Sequence, residues 1–126
     1  MPKTIPETPS APQPVAPYSV AAEAAGLVFL SGQVALVPDT GERIEDDVVK
    51  QAHQVMKNIG GILGDLGLGY DDVVKSGVFL ADIADFPAVN EVYGSYFEGS
   101  PPARTTVQAG ALPANFLVEI EVVAAR

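Results

Sequence analysis

Cysteine and tryptophan are missing from these 126 residues, and histidine occurs once, at His53. The lack of thiols excludes disulfides, thiolate metal sites and thiol nucleophiles, and a lone imidazole has no second His or Cys with which to share a metal. Positive charge is scarce as well: 7 Lys and Arg stand against 16 Asp and Glu, for a net charge of -9. Phosphate backbones would be repelled, so no nucleic-acid partner is expected. No apolar run approaches the ~20 residues of a membrane span, and the N-terminus has no apolar core of a signal peptide. A soluble, cytoplasmic protein is the expectation.

What is present fits one domain, 1–126, with 48% hydrophobic residues to build a core. Residues 1–17 hold six of the eleven prolines and read as an extended lead-in over the surface. Within it Lys3-Thr4-Ile5 is long enough for a short edge strand, with disorder as the alternative. Strand-like runs follow at Ser19–Ala22 and Leu27–Ala35, closed by the turn signal Pro38-Asp39-Thr40-Gly41. After Asp46-Asp47, apolar residues at Val48, Val49, Ala52, Val55, Met56, Ile59, Ile62, Leu63 and Leu66 describe a long amphipathic helix, stopped by Gly67 and Gly69.

A buried strand is expected within 71–81, then a helix from Asp85 with Phe86, Val89, Tyr93, Tyr96 and Phe97 on its inner stripe. Strands at Arg104–Ala109 and Phe116–Ala124 complete the chain, and these two are expected to be neighbours. The order gives an α+β fold, a single sheet with two helices on one face. Runs such as Leu27–Leu30 and Val78–Leu80 are apolar at consecutive positions, so the uncovered face must also be buried, most simply against copies of the chain.

Arg104 is the one cation between Lys75 and Arg126, a stretch that also holds Asp82, Asp85, Glu91, Glu98, Glu119 and Glu121. Two prolines precede it, and strand alternation groups it with Thr106 and Gln108 on one face. It either closes a structural ion pair with Glu119 or Glu121, or receives an anionic ligand, for which a planar fork suits a carboxylate. Glu119 and Glu121 share a face opposite Val118, Ile120 and Val122, as solvated acids or as a general acid-base near a bound substrate. Tyr18, ending the proline lead-in, either overhangs a pocket or plugs the surface with a wet hydroxyl. Ser31-Gly32-Gln33 reads as a β-bulge or as a close approach of backbone to a ligand. The paired acids at 46–47 and 71–72 lack EF-hand spacing, and the glycines at 60–69 do not form a dinucleotide loop.

In order along the chain, Pro17-Tyr18, Ser31-Gly32-Gln33, Thr40-Gly41-Glu42, Asp85-Phe86 with Val89-Asn90 and Tyr93, Pro102-Ala103-Arg104, Leu112-Pro113 and Val118-Glu119-Ile120-Glu121 resemble the reactive intermediate deaminases, the RidA/YjgF family. The resemblance covers most of the chain from Lys3 onward. It implies a chorismate-mutase-like fold, assembled as a homotrimer with its sites in clefts between subunits. It also implies hydrolysis of 2-enamino and 2-imino acids to 2-oxo acids and ammonia, with no cofactor and no metal. On that pattern Arg104 grips the substrate carboxylate and Glu119 positions water and moves protons, while Tyr18, Ser31, Gly32, Asn90 and Thr106 line the cleft. The chain departs from the pattern at Thr106, where some members have Cys, at Ala16, where Gly is frequent, and in a short 98–101 connection. Two other functions compete: a trimeric 2-oxo-acid-binding or regulatory module without turnover, and a ribonuclease or translation inhibitor, which the charge opposes.

Overall fold

A computed structural model describes residues 2–126. The three-and-four apolar spacing becomes α1 (Val48–Asp65), which buries Ala52, Val55, Met56, Ile59, Ile62 and Leu63 against the sheet. Val49, expected on that stripe, is exposed instead. Asp47 caps the start by accepting from the Lys50 N–H, which contributes about 1 kcal/mol. At the other end Gly67 takes a left-handed φ of 75°, the Leu68 N–H reaches the Leu63 carbonyl at 2.8 Å and the Gly67 N–H reaches that of Gly64 at 3.1 Å. That pair of bonds is why the helix stops there despite three glycines in its last turns.

Five strands form one sheet: β1 (Ala21–Ala24), β2 (Leu27–Gln33), β3 (Val73–Leu80), β4 (Ala103–Gln108) and β5 (Val118–Ala125), in the order β1-β2-β5-β3-β4. The second helix, α2 (Phe86–Gly94), carries the chain from β3 to β4, which run parallel, while every other pairing is antiparallel. A helix is what a parallel crossover requires. This corrects the expected adjacency of the last two strands: β5 inserts between β2 and β3, so β3 separates it from β4.

Tyr96 and Phe97 lie beyond the end of α2 but still pack inward, Tyr96 against Tyr70 with ring centroids 5.4 Å apart and Phe97 against Tyr93 at 4.8 Å. The proline lead-in is held rather than free: Thr4 makes a single bridge to Glu23, short of a strand, and Ser10 binds the Asp65 carboxylate through its N–H at 2.8 Å and its hydroxyl at 2.7 Å.

Strand alternation divides the sheet cleanly. Val28, Leu30, Val78, Leu80, Val118, Ile120, Val122 and Ala124 face the helices and are buried. The opposite face carries Leu27, Phe29, Phe79, Val107 and Val123 with no helix over it, leaving Phe29 46% and Val107 43% exposed.

The approach to β5 depends on one buried amide. Gln51, fully buried on α1, accepts from the Leu117 N–H at 2.9 Å and donates to the Glu45 carbonyl at 3.2 Å. Gln51→Leu keeps the volume but strands both backbone groups, so urea unfolding should show a loss of roughly 1–3 kcal/mol. A midpoint unchanged from wild type would remove Gln51 from this role.

Candidate active site

One cluster of polar side chains forms where β4 meets α2. Arg104 pairs in register with Ser76 of β3 and projects to the helix face, where its guanidinium carbon lies 4.9 Å from the Tyr93 ring centroid and 5.5 Å from that of Phe86. Of the three arginines, Arg43 pairs with Asp46 and Arg126 with Glu23, but among the described residues Arg104 has neither an ion pair nor a hydrogen bond. The expected alternative of an internal bridge to Glu119 or Glu121 is therefore not realised. Beneath it the Tyr93 hydroxyl and the Ser76 hydroxyl are hydrogen-bonded at 2.8 Å, both buried. Burial raises the Tyr93 phenol above its usual pKa of 10.0, with the Ser76 bond and the Arg104 charge acting in the other direction.

Thr106, two residues along the same face, buries its Oγ1 without a partner. A buried hydroxyl left unpaired costs about 1–3 kcal/mol, so this one calls for a ligand or a water. Asn90 is half-buried on α2, four residues after Phe86 and three before Tyr93, hence on the same helix flank as both rings. Gln108, the third expected member of the strand face, is already used: its side-chain oxygen accepts from the Ile83 N–H at 2.8 Å.

A second cluster forms where β2 crosses β5. The pairing of these strands shifts between Leu30 and Gln33, so Ser31-Gly32 is the bulge expected from sequence. It is also the close approach: a methyl group built on Gly32 would lie 2.1 Å from Oε2 of Glu119. Ser31 donates its hydroxyl to the Ser19 carbonyl at 2.6 Å, which ties the bulge to the residue after Tyr18. Tyr18 is 53% exposed and, with the proline lead-in, lines an open depression of about 610 Å³. The Glu119 carboxyl is raised above its ordinary 4.5, first by burial and then by the charge of Glu121.

The two clusters do not meet within one chain. Arg104, Ser76 and Val122 share the helix face by register, whereas Glu119 pairs with Phe79 on the open face. Two strand spacings, about 10 Å, and the thickness of the sheet separate them. Charge scarcity, strand alternation and the family resemblance made Arg104 and Glu119 candidates; none of these could reveal that the two side chains leave opposite faces, which required the strand order.

Other sequence candidates resolve as structural. The His53 ring meets the Tyr96 hydroxyl through Nδ1 at 2.8 Å, in the seam between the helices. Among the described residues no group of three His, Cys, Asp or Glu side chains is placed to hold a metal. Folding gathers Arg43, Lys50, His53 and Lys57 around a depression of about 540 Å³, but Asp46 and Glu45 pair with two of these cations. Phe86, Tyr93 and Ser76 were missed as site residues. The two rings read as core stripe, and the signal left unused was a serine among the apolar residues of β3.

Comparison with known proteins matches residues 8–126 to the family described as Endoribonuclease L-PSP. The chain is 48% identical over 122 residues to reactive intermediate deaminase A, chloroplastic, of Arabidopsis thaliana, covering 97% of this chain and 65% of that one. It is 45% identical over 117 residues to mouse 2-iminobutanoate/2-iminopropanoate deaminase, covering 93% and 87% of the two chains. The chain belongs to the RidA/YjgF family. Among solved structures, the Rid family protein YyfA from Yersinia pestis superposes with a TM-score of 0.95 at 43% identity, covering 99% of this chain and 100% of that one. TdcF of E. coli with bound serine superposes at 0.92 with 37% identity, covering 98% of each. The mixed five-stranded sheet with two helices described above is thus the Rid fold.

At Glu119 the two causes of the raised pKa can be separated. Glu121→Gln removes the smaller cause and leaves burial, so a carbon-detected NMR titration should show the Glu119 pKa falling while staying above 4.5. A value that does not move would exclude the neighbouring charge as a cause.

Proposed function

We propose that this protein is a deaminase that adds water to 2-imino acids, including those formed from 2-enamino acids, and releases 2-oxo acids and ammonia, without a cofactor. It acts as a homotrimer in which each site takes Arg104 from one chain and Glu119 from another. The observation that carries the reading is the unpaired Arg104 guanidinium beside the orphaned Thr106 hydroxyl. A planar fork with free in-plane donors matches a carboxylate, and the substrates of this reaction are small carboxylates. A solved relative that carries bound serine, itself a small carboxylate, supports the same ligand class.

The chemistry asked of the protein is modest. Water adds to the imine carbon as a carboxylate takes its proton and the imine nitrogen gains one. The carbinolamine then collapses: its hydroxyl gives up its proton as the C=O bond forms, the C–N bond breaks, and the nitrogen, having received a second proton through the carboxyl group, leaves as ammonia. A carboxyl lifted toward neutrality by burial suits both transfers. Arg104 orients the substrate, which for an electrophilic carbon is most of the task. Asn90 and Thr106 line the arginine side of the cleft, and Tyr18, Ser31 and Gly32 the glutamate side.

Because Arg104 and Glu119 leave opposite faces of one sheet, a shared substrate needs two chains. The apolar open face supplies a reason to associate, since Phe29 and Val107 would otherwise stay wet. The family description names an endoribonuclease, but a net charge of -9 opposes binding to a phosphate backbone. The bound serine of the relative equally suits a binding module without turnover, and the assays below separate the two.

With 2-aminoacrylate or 2-aminocrotonate generated by a dehydratase, wild type should speed loss of the imine signal, and Arg104→Ala should lower kcat/KM about 100-fold. Equal clearance by both rejects the role of Arg104; 2-oxo-acid binding with no acceleration by wild type selects the binding module. Arg104→Ala and Glu119→Gln, refolded together, should regain about a quarter of wild-type activity, the share of seams with both groups intact under random mixing. No recovery would place both residues' work within one chain.

Gly32→Ala bears on the glutamate side. The atom it strikes ends a flexible side chain, so the fold should hold, with a thermal midpoint near wild type, while the displaced carboxylate lowers activity by about 100-fold. Full activity in Gly32→Ala would show that Glu119 need not stand where it does.

A further inference from the structure

Arginine is long and flexible, and β4 is the edge strand of the sheet, so nothing in the strand itself fixes where the Arg104 guanidinium points. Proteins ordinarily hold such a group with a carboxylate or backbone carbonyls, which occupy its N–H donors. Arg43 shows that solution here, donating to Asp46 and to the carbonyls of Ala114 and Asn115. Arg104 has none of these partners among the described residues. What lies against it instead is a floor of two aromatic rings, at 4.9 and 5.5 Å.

The floor is itself fixed. Phe86 opens α2 and Tyr93 stands seven residues later, so both rings leave the same flank of the helix. Tyr93 packs on Phe97 with centroids 4.8 Å apart, and its hydroxyl is held by Ser76 at 2.8 Å. Ser76 is the residue of β3 directly beside Arg104 in the parallel ladder, and it is fully buried. The contacts close a ring: Arg104 on β4, the Tyr93 face on α2, Ser76 on β3, and back through the ladder to Arg104.

We propose that Phe86 and Tyr93 are positioning residues for Arg104, holding its guanidinium through their ring faces so that its in-plane donors stay free for ligand, with Ser76 locking the Tyr93 ring. A ring face attracts a cation without accepting its N–H bonds, whereas an ion pair would consume the donors that a carboxylate ligand needs. This rests on the reading of Arg104 as the carboxylate site.

The test measures 2-oxobutanoate binding by calorimetry and kcat and KM in the coupled assay, on the assembled full-length protein. Phe86→Leu and Tyr93→Leu should raise Kd and KM together by about two- to thirty-fold with kcat changed far less, because the grip acts on ground and transition states alike. Tyr93→Phe, which keeps the ring, should recover most of that loss. The Arg104 Nε–Hε NMR signal should be narrow and slow to exchange in wild type and average toward a solvent-exposed arginine in Phe86→Leu. A purely structural role for the rings predicts the reverse: a lower thermal midpoint and lower kcat, with KM, Kd and the arginine signal unmoved, and that result overturns the proposal. Arg104→Met separates the two levels. If it leaves 2-oxobutanoate binding intact, the carboxylate reading falls; if it weakens binding while Phe86→Leu and Tyr93→Leu do not, only the aromatic floor falls. Should Tyr93→Leu fail to fold, Phe86→Leu and the arginine signal decide the matter.

Discussion

A guanidinium kept away from every carboxylate of its own chain is the constraint on which the site depends. With 16 acids available, an ion pair would be the ordinary outcome, and Arg43 and Arg126 take it. Arg104 avoids it because its strand is separated from the acid-bearing β5 by β3, whose residues beside it are Lys75, Ser76 and Gly77, none acidic. Asp82 and Asp85 are drawn into the turn before α2, where Asp82 accepts from the Ala84 N–H at 2.9 Å. What remains against the cation is aromatic. A cation over ring faces is held at a stabilisation of about 0.5–2 kcal/mol without being neutralised.

The same strand order sets the consequences for Glu119. Alternation puts Val118 and Ile120 into the core and so drives Glu119 and Glu121 onto the open face, where Glu119 is half-buried beside Phe79 and Glu121 stays exposed. Burial in such surroundings penalises the charged carboxylate, and a like charge two residues away adds to it. Nothing at the glutamate was tuned separately from the fold. An elevated carboxyl pKa follows from placing two acids on one face of a hydrophobic strand, with a bulge at Gly32 that leaves room for one of them.

How much of this was legible in sequence depended on the range of the interaction. Helix α1 was legible because its stripe, its Asp47 cap and its Gly67 stop are local, and the bulge at Ser31-Gly32 was legible because a glycine interrupts an apolar strand. Val49 escaped because it lies about 100° round the helix from Val48, at the edge of the stripe, where spacing alone does not say whether a side chain is covered. The grouping of Arg104 with Thr106, and of Glu119 with Glu121, followed from the two-residue period of a strand. The faces those pairs occupy did not, because face depends on register and strand order, which are fixed by contacts such as Phe79 with Glu119 that lie 40 residues apart. The aromatic floor was hidden for a different reason: Phe86 and Tyr93 do pack inward as a stripe predicts, and periodicity cannot say whether the partner of a ring is a leucine or a guanidinium.

Placing Arg104 and Glu119 on opposite faces also solves a problem that adjacency would create. Were Arg104 and Glu119 neighbours in one chain, they would pair as soon as the chain folded. The glutamate would then be held as the anion by the cation, its pKa lowered rather than raised, and the arginine donors would be spent on it. Kept apart by the sheet, each reaches its final form alone: the arginine unpaired against its rings, the glutamate half-buried with its pKa raised. On the proposed reading they first face each other across a seam between chains, and there a substrate carboxylate takes the arginine. On that reading the glutamate is left for water, and β-sheet geometry alone separates the group proposed to bind from the group proposed to move protons before any ligand arrives.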